Sequence, residues 1–209
     1  MIHTWRQRCL DFIFPPSESL LILRVFSDTS PLSFYQPTYP NGIIALSHYN
    51  EPYIKANITA GKFEHNEPAL KNLGLLLQQH LHESVTTWRP EETIFVPIPL
   101  HRKRQAKRGY NQVDVLLKSG LRGTDFHTYQ LLERIKNTSP QSHLTRTDRL
   151  PHLKDAFIYR SCAIDWNKIK QVVLVDDVIT TGSTLEAGAN VLRSHLPKNV
   201  SVIMLAFAH

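Results

Sequence analysis

Cysteine is scarce: Cys9 and Cys162 are the only two in 209 residues. They lie far apart and make no CxxC. A disulfide framework and a thiolate zinc site are both excluded, and reduced thiols in the cytoplasm are the expectation. Glycine is scarce too, with eight scattered along the chain. Neither GxGxxG nor GxxxxGK[ST] occurs, so kinase and dinucleotide-enzyme readings have no anchor. No apolar segment approaches the roughly 20 residues that span a bilayer, so no membrane partner is expected. The opening MIHTWRQRCLDFIFPP has a basic start, but its apolar part is short and interrupted and it has no small-residue cleavage site. It does not read as a signal peptide. Eleven histidines are dispersed without HExxH or another metal pair, and each reads as a solvated or core residue.

What is present fits a soluble globular chain of one sizeable domain, at 42% apolar residues and a mean hydropathy of -0.25. The formal net charge is +6 and the isoelectric point about 9.4. That balance suits an anionic partner, and a phosphate-rich small molecule and a nucleic acid both fit.

Residues 1–42 read as an irregular N-terminal segment, broken by Pro15, Pro16, Pro31, Pro37 and Pro40. Within it Leu20–Phe26 reads as a strand or a short buried helix. Ile43–Tyr49 reads as a strand. Residues 51–62 suit a helix with Ile54, Ile58 and Ala60 inward. Pro68–Glu83 is a clearer helix, since Leu70, Leu73, Leu77 and Leu81 recur at helical spacing. Thr93–Ile98 reads as a strand whose outgoing end Pro97 and Pro99 confine to an edge or loop. A basic run, His101–Arg108, follows as a loop, with five Arg or Lys among its eight residues. It fits a solvated loop, a nucleic-acid patch or a phosphate clamp. Stacking aromatics are nearly absent around it apart from Tyr110, which disfavours the second. A helix is expected near Asn111–Lys118, another over Leu185–Leu196 ending at Pro197, and a last buried strand over Val200–Phe207. Strand, helix, strand in that order implies a right-handed parallel unit.

The stretch with the most chemistry is QVVLVDDVITTGSTLE, Gln171–Glu186. Val172–Val175 suits a buried parallel strand. Asp176 and Asp177 then form an acidic edge that needs partners, because adjacent carboxylates repel and resist desolvation. Sugar hydroxyls or a metal ion would meet that need. Thr180, Thr181, Gly182, Ser183 and Thr184 offer hydroxyls, backbone N–H groups and close approach, and they open a helix whose N-terminus favours anions. A bare Asp-Asp pair is often only a turn and a helix cap. The complete run describes a site for a 5′-phosphorylated ribose.

VVLVDDVITTGST resembles the phosphoribosyl-pyrophosphate (PRPP) motif of type I phosphoribosyltransferases. VPIPLHRKRQAKRGYNQ resembles the matching stretch of their ComF-type branch: Val96, Pro97, Pro99, Leu100, Arg108, Gly109, Tyr110, Asn111 and Gln112 all fit. So do Arg134, Thr138, Gln141, Leu144, Arg149, Ala156 and Phe157, with His152 where Asn is usual and Asp155 where Gly is frequent. The resemblance covers residues 43–209. It implies an α/β type I phosphoribosyltransferase fold, an open and mainly parallel sheet flanked by helices, with a mobile hood over Leu131–Phe157. It implies Mg²⁺-dependent transfer of a phosphoribosyl group from PRPP to a nitrogen acceptor. Asp176 and Asp177 would contact the ribose hydroxyls and serve catalysis, reaching Mg²⁺ only through ribose or water. Thr180–Thr184 would cradle the 5′-phosphate. Leu100, His101, Arg102, Lys103 and Arg104, with Arg108, would bind the pyrophosphate. The branch commonly opens with a four-cysteine zinc ribbon; here Ser17-Glu18-Ser19 stands where cysteines are expected, so no zinc is expected. The alternative it implies is a non-catalytic protein of DNA uptake. Homodimerisation, weak binding of single-stranded DNA and contact with competence-machinery proteins are the further partner expectations.

Overall fold

A computed structural model describes residues 17–26, 38–39, 42–84, 87–137 and 155–209. In chain order the elements are α1 (Glu18–Phe26), β1 (Thr38–Tyr39), β2 (Ile43–Ala45), α2 (Pro52–Phe63), α3 (Glu67–Glu83), β3 (Thr93–Pro97), α4 (Arg102–Arg108), α5 (Gln112–Gly120), β4 (His127–Thr128), β5 (Leu132–Arg134), β6 (Phe157–Tyr159), β7 (Gln171–Val178), α6 (Ser183–His195) and β8 (Ser201–Ala208). Six strands form one sheet in the order β1-β2-β8-β7-β3-β4. Every pairing is parallel except β1 with β2. The expected open, mainly parallel sheet flanked by helices is therefore present. Among the described residues no helix is long and apolar enough to cross a membrane.

Strand alternation divides the core in two. Val172 and Leu174 of β7 face α6, where they meet Leu185, Ala189 and Leu192. Val173 and Val175 face the opposite side, with Ile54 and Ile58 of α2, Leu70, Leu73 and Leu77 of α3, and Leu116 of α5. Side chains on successive strand residues point to opposite faces, and parallel strands covered on both sides read as continuous apolar runs. The leucine spacing that predicts α3 thus marks its buried stripe. Asn66 caps that helix by accepting from the Ala69 N–H, and Pro68 sits in its first turn. The antiparallel pair β5–β6 packs on the α6 face through Leu132 and Phe157.

Several expectations change. Glu18–Phe26 is a helix inside the segment expected to be irregular, which resolves the choice left open at Leu20–Phe26. β2 ends at Ala45 rather than Tyr49, although backbone bonds still join Leu46 to Ala206 and both Ser47 and Tyr49 to His209, and the Ser47 hydroxyl donates to the Phe207 carbonyl. The basic run is not a loop: Arg102–Arg108 is a helix, started by His101 and ended by Gly109 at φ 82°. Pro97 lies within β3. The Ile98 N–H bonds Val175 of β7 while the Phe95 carbonyl accepts from Tyr129. Alternation therefore turns the Pro97 nitrogen toward the side where β4 has already ended, and no ladder bond is lost. Asp155 has φ 57°, left-handed backbone that glycine adopts at least cost and that Asp tolerates better than most residues. Thr138, Gln141, Leu144, Arg149, His152 and Cys9 lie outside the described residues.

Asn111 joins two of these parts. Its side-chain amide donates to the Ile98 carbonyl at 3.0 Å, and its Oδ1 accepts from the Val113 N–H to cap α5. The residue is buried, so Asn111→Ala loses a cap and strands a carbonyl. The expected cost is about 2–3 kcal/mol of stability, read by urea unfolding. A change under about 0.5 kcal/mol would contradict this role.

Candidate functional site

β3 and β7 lie side by side, yet their outgoing chains diverge. From β3 the chain passes through α4 and α5 to β4 on one side. From β7 it passes through α6 to β8 on the other. In open α/β sheets such a switch point leaves a crevice outside the carboxyl ends of the strands. Both stretches singled out in the sequence stand there: the basic segment after β3, and the acids and hydroxyl-rich turn at the end of β7.

Asp176 and Asp177 are not a turn after the strand. β7 runs through both, and pairing with β8 continues to Val178 opposite Ala208. They therefore point to opposite faces of the sheet. Asp177 is 8% exposed and turns toward α2, where its Oδ2 sits 2.9 Å from Lys62 Nζ. Its Oδ1 accepts from the Val178 N–H at 2.7 Å. Asp176 is on the α6 side, and its Oδ1 accepts from the Asp177 N–H at 2.9 Å. Burial, then repulsion from Asp177, pushes the Asp176 carboxyl up to about 7, while Lys62 and Arg134 pull it back down. Arg134, from β5, is itself buried and lies over the Phe157 ring at 5.4 Å. Burial and Arg104 draw its guanidinium below the ordinary range, and Asp176 draws it back. Arg134 thus feels both the basic helix and the acidic strand end.

Thr180–Thr184 do form one cradle, which Asp176, Val178, Ile179 and Leu185 help to line. Thr181 Oγ1 and Ser183 Oγ are 2.9 Å apart. Gly182 precedes α6 at φ 75°, and a Cβ there would come within 2.8 Å of Ile43 Cδ1. Left-handed backbone costs an ordinary residue about 1–2 kcal/mol, and the contact adds to that. Gly182→Ala is expected to lower stability by about 2 kcal/mol, seen as a lower urea midpoint. An unchanged midpoint would mean that the turn relaxes freely.

The basic residues separate. Arg102 and Lys103 are exposed, and Arg104 is half-buried. The His101 ring accepts from the Lys103 N–H as the helix cap. Arg102 pairs with Glu133 at 2.9 Å, and Arg160 holds the other oxygen of that carboxylate. Leu100 is half-buried on the chain leaving β3. Arg108 turns elsewhere: it donates to Gln112 at 2.8 Å and lies over the Phe63 ring at 5.8 Å. RGYNQ is therefore largely a structural joint. Gly109 ends α4, the Tyr110 hydroxyl donates to the Gly61 carbonyl at 2.7 Å, and Asn111 and Gln112 are buried.

Lys62 escaped the sequence reading. Nothing in PYIKANITAGKF singles out one lysine near a helix end, and only the packing of α2 across the end of β7 does so.

Residues 145–209 match the phosphoribosyl transferase domain family. The chain is 35% identical over 179 residues to competence protein F of Haemophilus influenzae, covering 83% of this chain and 75% of that protein. It is 31% identical over 153 residues to DNA utilization protein YhgH of Salmonella typhi, covering 72% of this chain and 65% of the relative. With competence protein ComFC of Streptococcus pneumoniae it shares 32% identity over 115 residues, covering 55% of this chain and 48% of the relative. With a mainly parallel sheet, a switch-point crevice and these relatives together, the chain belongs to the ComF-type family of phosphoribosyltransferase-fold proteins.

Proposed function

We propose that the protein binds PRPP across the β3–β7 crevice and transfers its phosphoribosyl group to a nitrogen acceptor. One observation carries the reading: adjacent strand ends bring a basic helix and an acid-plus-hydroxyl turn to one crevice. A ribose with phosphate at one end and pyrophosphate at the other matches that distribution of groups. Asp176 and Asp177 accept hydrogen bonds from the ribose hydroxyls, and Thr180–Thr184 hold the 5′-phosphate. The segment from Leu100 to Arg104 takes the pyrophosphate, with Arg134 and Arg108 adding positive potential behind it.

In the reaction the bond from ribose C1 to the pyrophosphate oxygen breaks and its electron pair leaves with pyrophosphate. The acceptor nitrogen's lone pair forms the new C1–N bond, and the proton on that nitrogen passes to a base or to water. The chain's part is positioning and charge stabilisation. Asp176, with its carboxyl near neutrality, suits proton acceptance. Mg²⁺ bound to the diphosphate would offset the charge of the leaving group. Among the described residues no group of three His, Cys, Asp or Glu side chains could hold a metal, and Asp177 already faces Lys62. These residues fit Mg²⁺ that arrives on the substrate's own oxygens and keeps its waters.

The names of the relatives support a second reading, a non-catalytic partner in DNA uptake. Exposed Arg102, Lys103 and Lys107 on α4 would then meet a nucleic-acid backbone. Two measurements separate the readings. Mass spectrometry would follow PRPP consumption against purine, pyrimidine and amine acceptors. A gel shift with single-stranded DNA would be titrated with salt. Turnover with a defined acceptor favours the enzyme. A salt-dependent shift that survives loss of both acids, with no turnover, favours the partner.

A further inference from the structure

We infer that Lys62 is the built-in counter-ion of the acidic strand end, so that the ribose subsite works without a divalent cation. The inference rests on the PRPP reading above and assigns one more residue to that site. Its basis is geometric. Lys62 Nζ lies 2.9 Å from Asp177 Oδ2, with the two side chains only 19% and 12% exposed. The remaining Asp177 oxygen is taken by the Val178 N–H, and Asp176 Oδ1 by the Asp177 N–H.

The lysine is also held in place. It sits in the last turn of α2, one residue after Gly61. The Gly61 carbonyl accepts from the Tyr110 hydroxyl at 2.7 Å. A Cβ on Gly61 would fall 2.3 Å from Leu70 Cγ, so α2 and α3 are in tight contact at that point. Just beyond, His65 Nδ1 lies 3.2 Å from the Arg108 carbonyl oxygen. The end of α2 is thus fastened to the joint between α4 and α5, and Lys62 extends from it onto β7. Lys62 thus offsets the charge of Asp177 by direct contact, while Lys62 and Arg134 only lessen the cost that burial and Asp177 place on Asp176. A ribose that presents hydroxyls to these carboxylates needs no metal to make the site tolerable. The metal requirement then belongs to the diphosphate end of PRPP alone.

Ribose 5-phosphate tests this, because it has the sugar and the 5′-phosphate without the diphosphate. Its binding would be measured by calorimetry in EDTA and in excess Mg²⁺, for wild type, Lys62→Met and Lys62→Arg. The wild-type Kd is expected to differ by less than about twofold between the two conditions. Lys62→Met is expected to lose about tenfold in EDTA and to regain part of it with Mg²⁺, whereas Lys62→Arg retains metal-independent binding. Wild-type binding that requires Mg²⁺, or Lys62→Met binding as wild type does in EDTA, overturns the inference. If Lys62→Met does not fold, the wild-type comparison and the arginine variant still decide. A wild type that binds PRPP with Mg²⁺, but ribose 5-phosphate only with Mg²⁺, sinks this inference alone. Absence of binding to either sugar phosphate in both conditions sinks the PRPP reading as well.

Discussion

Replacing Asp176 and Asp177 together by Asn is expected to weaken PRPP binding by about 100-fold or more. The ribose hydroxyls donate, and a carboxylate is an acceptor that takes each of them without cost. An amide offers one acceptor and one competing donor. Hydrogen bonds to a charged acceptor contribute about 1.5–3 kcal/mol each, so losing two gives an effect of at least this size. Asp177→Asn also strips Lys62 of its acid, which makes the double variant more severe than the acceptors alone imply. Calorimetry with Mg²⁺·PRPP reads the result, and an affinity within about threefold of wild type would remove the acids from the site. A second readout is independent of affinity. Free Asp176 holds a proton part of the time at pH 7, because its carboxyl titrates near there. Hydroxyl donation favours the ionised form, so binding should release a fraction of a proton. Binding enthalpies in buffers of different ionisation enthalpy would show that release in wild type and its loss in Asp176→Asn.

The framework of this fold is legible where burial writes a period into the chain. α3 is one case: Leu70, Leu73, Leu77 and Leu81 follow the stripe that the second core covers. β7 and β8 are another, as apolar runs buried on both faces. α4 is the converse. RKRQAKR contains no buried residue, so no apolar period exists to read. Its helix is set by the His101 cap and the left-handed Gly109, and a charge run gives no hint of either.

The site divides in the same way. Its local part, the turn from Thr180 to Thr184, is contiguous in sequence and forms one cradle. Its non-local part was hidden. Lys62 and Arg134 reach the acids from α2 and β5, and only the packing of those elements brings them together. The family match over RGYNQ gives no hint of its structural part: the Tyr110 and Asn111 side chains fasten neighbouring backbone, and Arg108 is engaged with Gln112 and Phe63. Recurrent polar residues near a site can serve the joint that holds it as well as the ligand.

Asp176→Asn alone should stabilise the protein at alkaline pH and leave it unchanged in acid. The sign follows from the direction of its titration. Below about pH 4 the carboxyl is protonated in both folded and unfolded chains, and the aspartate costs nothing. Between about pH 4 and 7 the unfolded chain ionises first while the folded one keeps its proton. The unfolded state then binds fewer protons, so stability falls as pH rises through that window. Above about 7 the folded carboxyl ionises too, and the penalty is complete. A carboxyl carried from its ordinary range near 4 up to about 7 bounds that penalty at about 4 kcal/mol. Asn keeps the oxygen that accepts from the Asp177 N–H. The attraction of Lys62 and Arg134 is already contained in that bound, and the partial exposure of Asp176 lets solvent screen part of the rest. The net gain at pH 8 is therefore set at about 2 kcal/mol, or roughly 4–8 °C in Tm for a chain of this size. Melting both proteins at pH 4.5 and pH 8 measures it. A difference in Tm that is equal at the two pH values, or larger in acid, would show that Asp176 is not held protonated by its surroundings. The stabilised variant should also be the one that binds PRPP poorly. A strand end that costs stability with both acids ionised, and gains affinity from the same charge, is the trade expected where carboxylates are kept for a ligand.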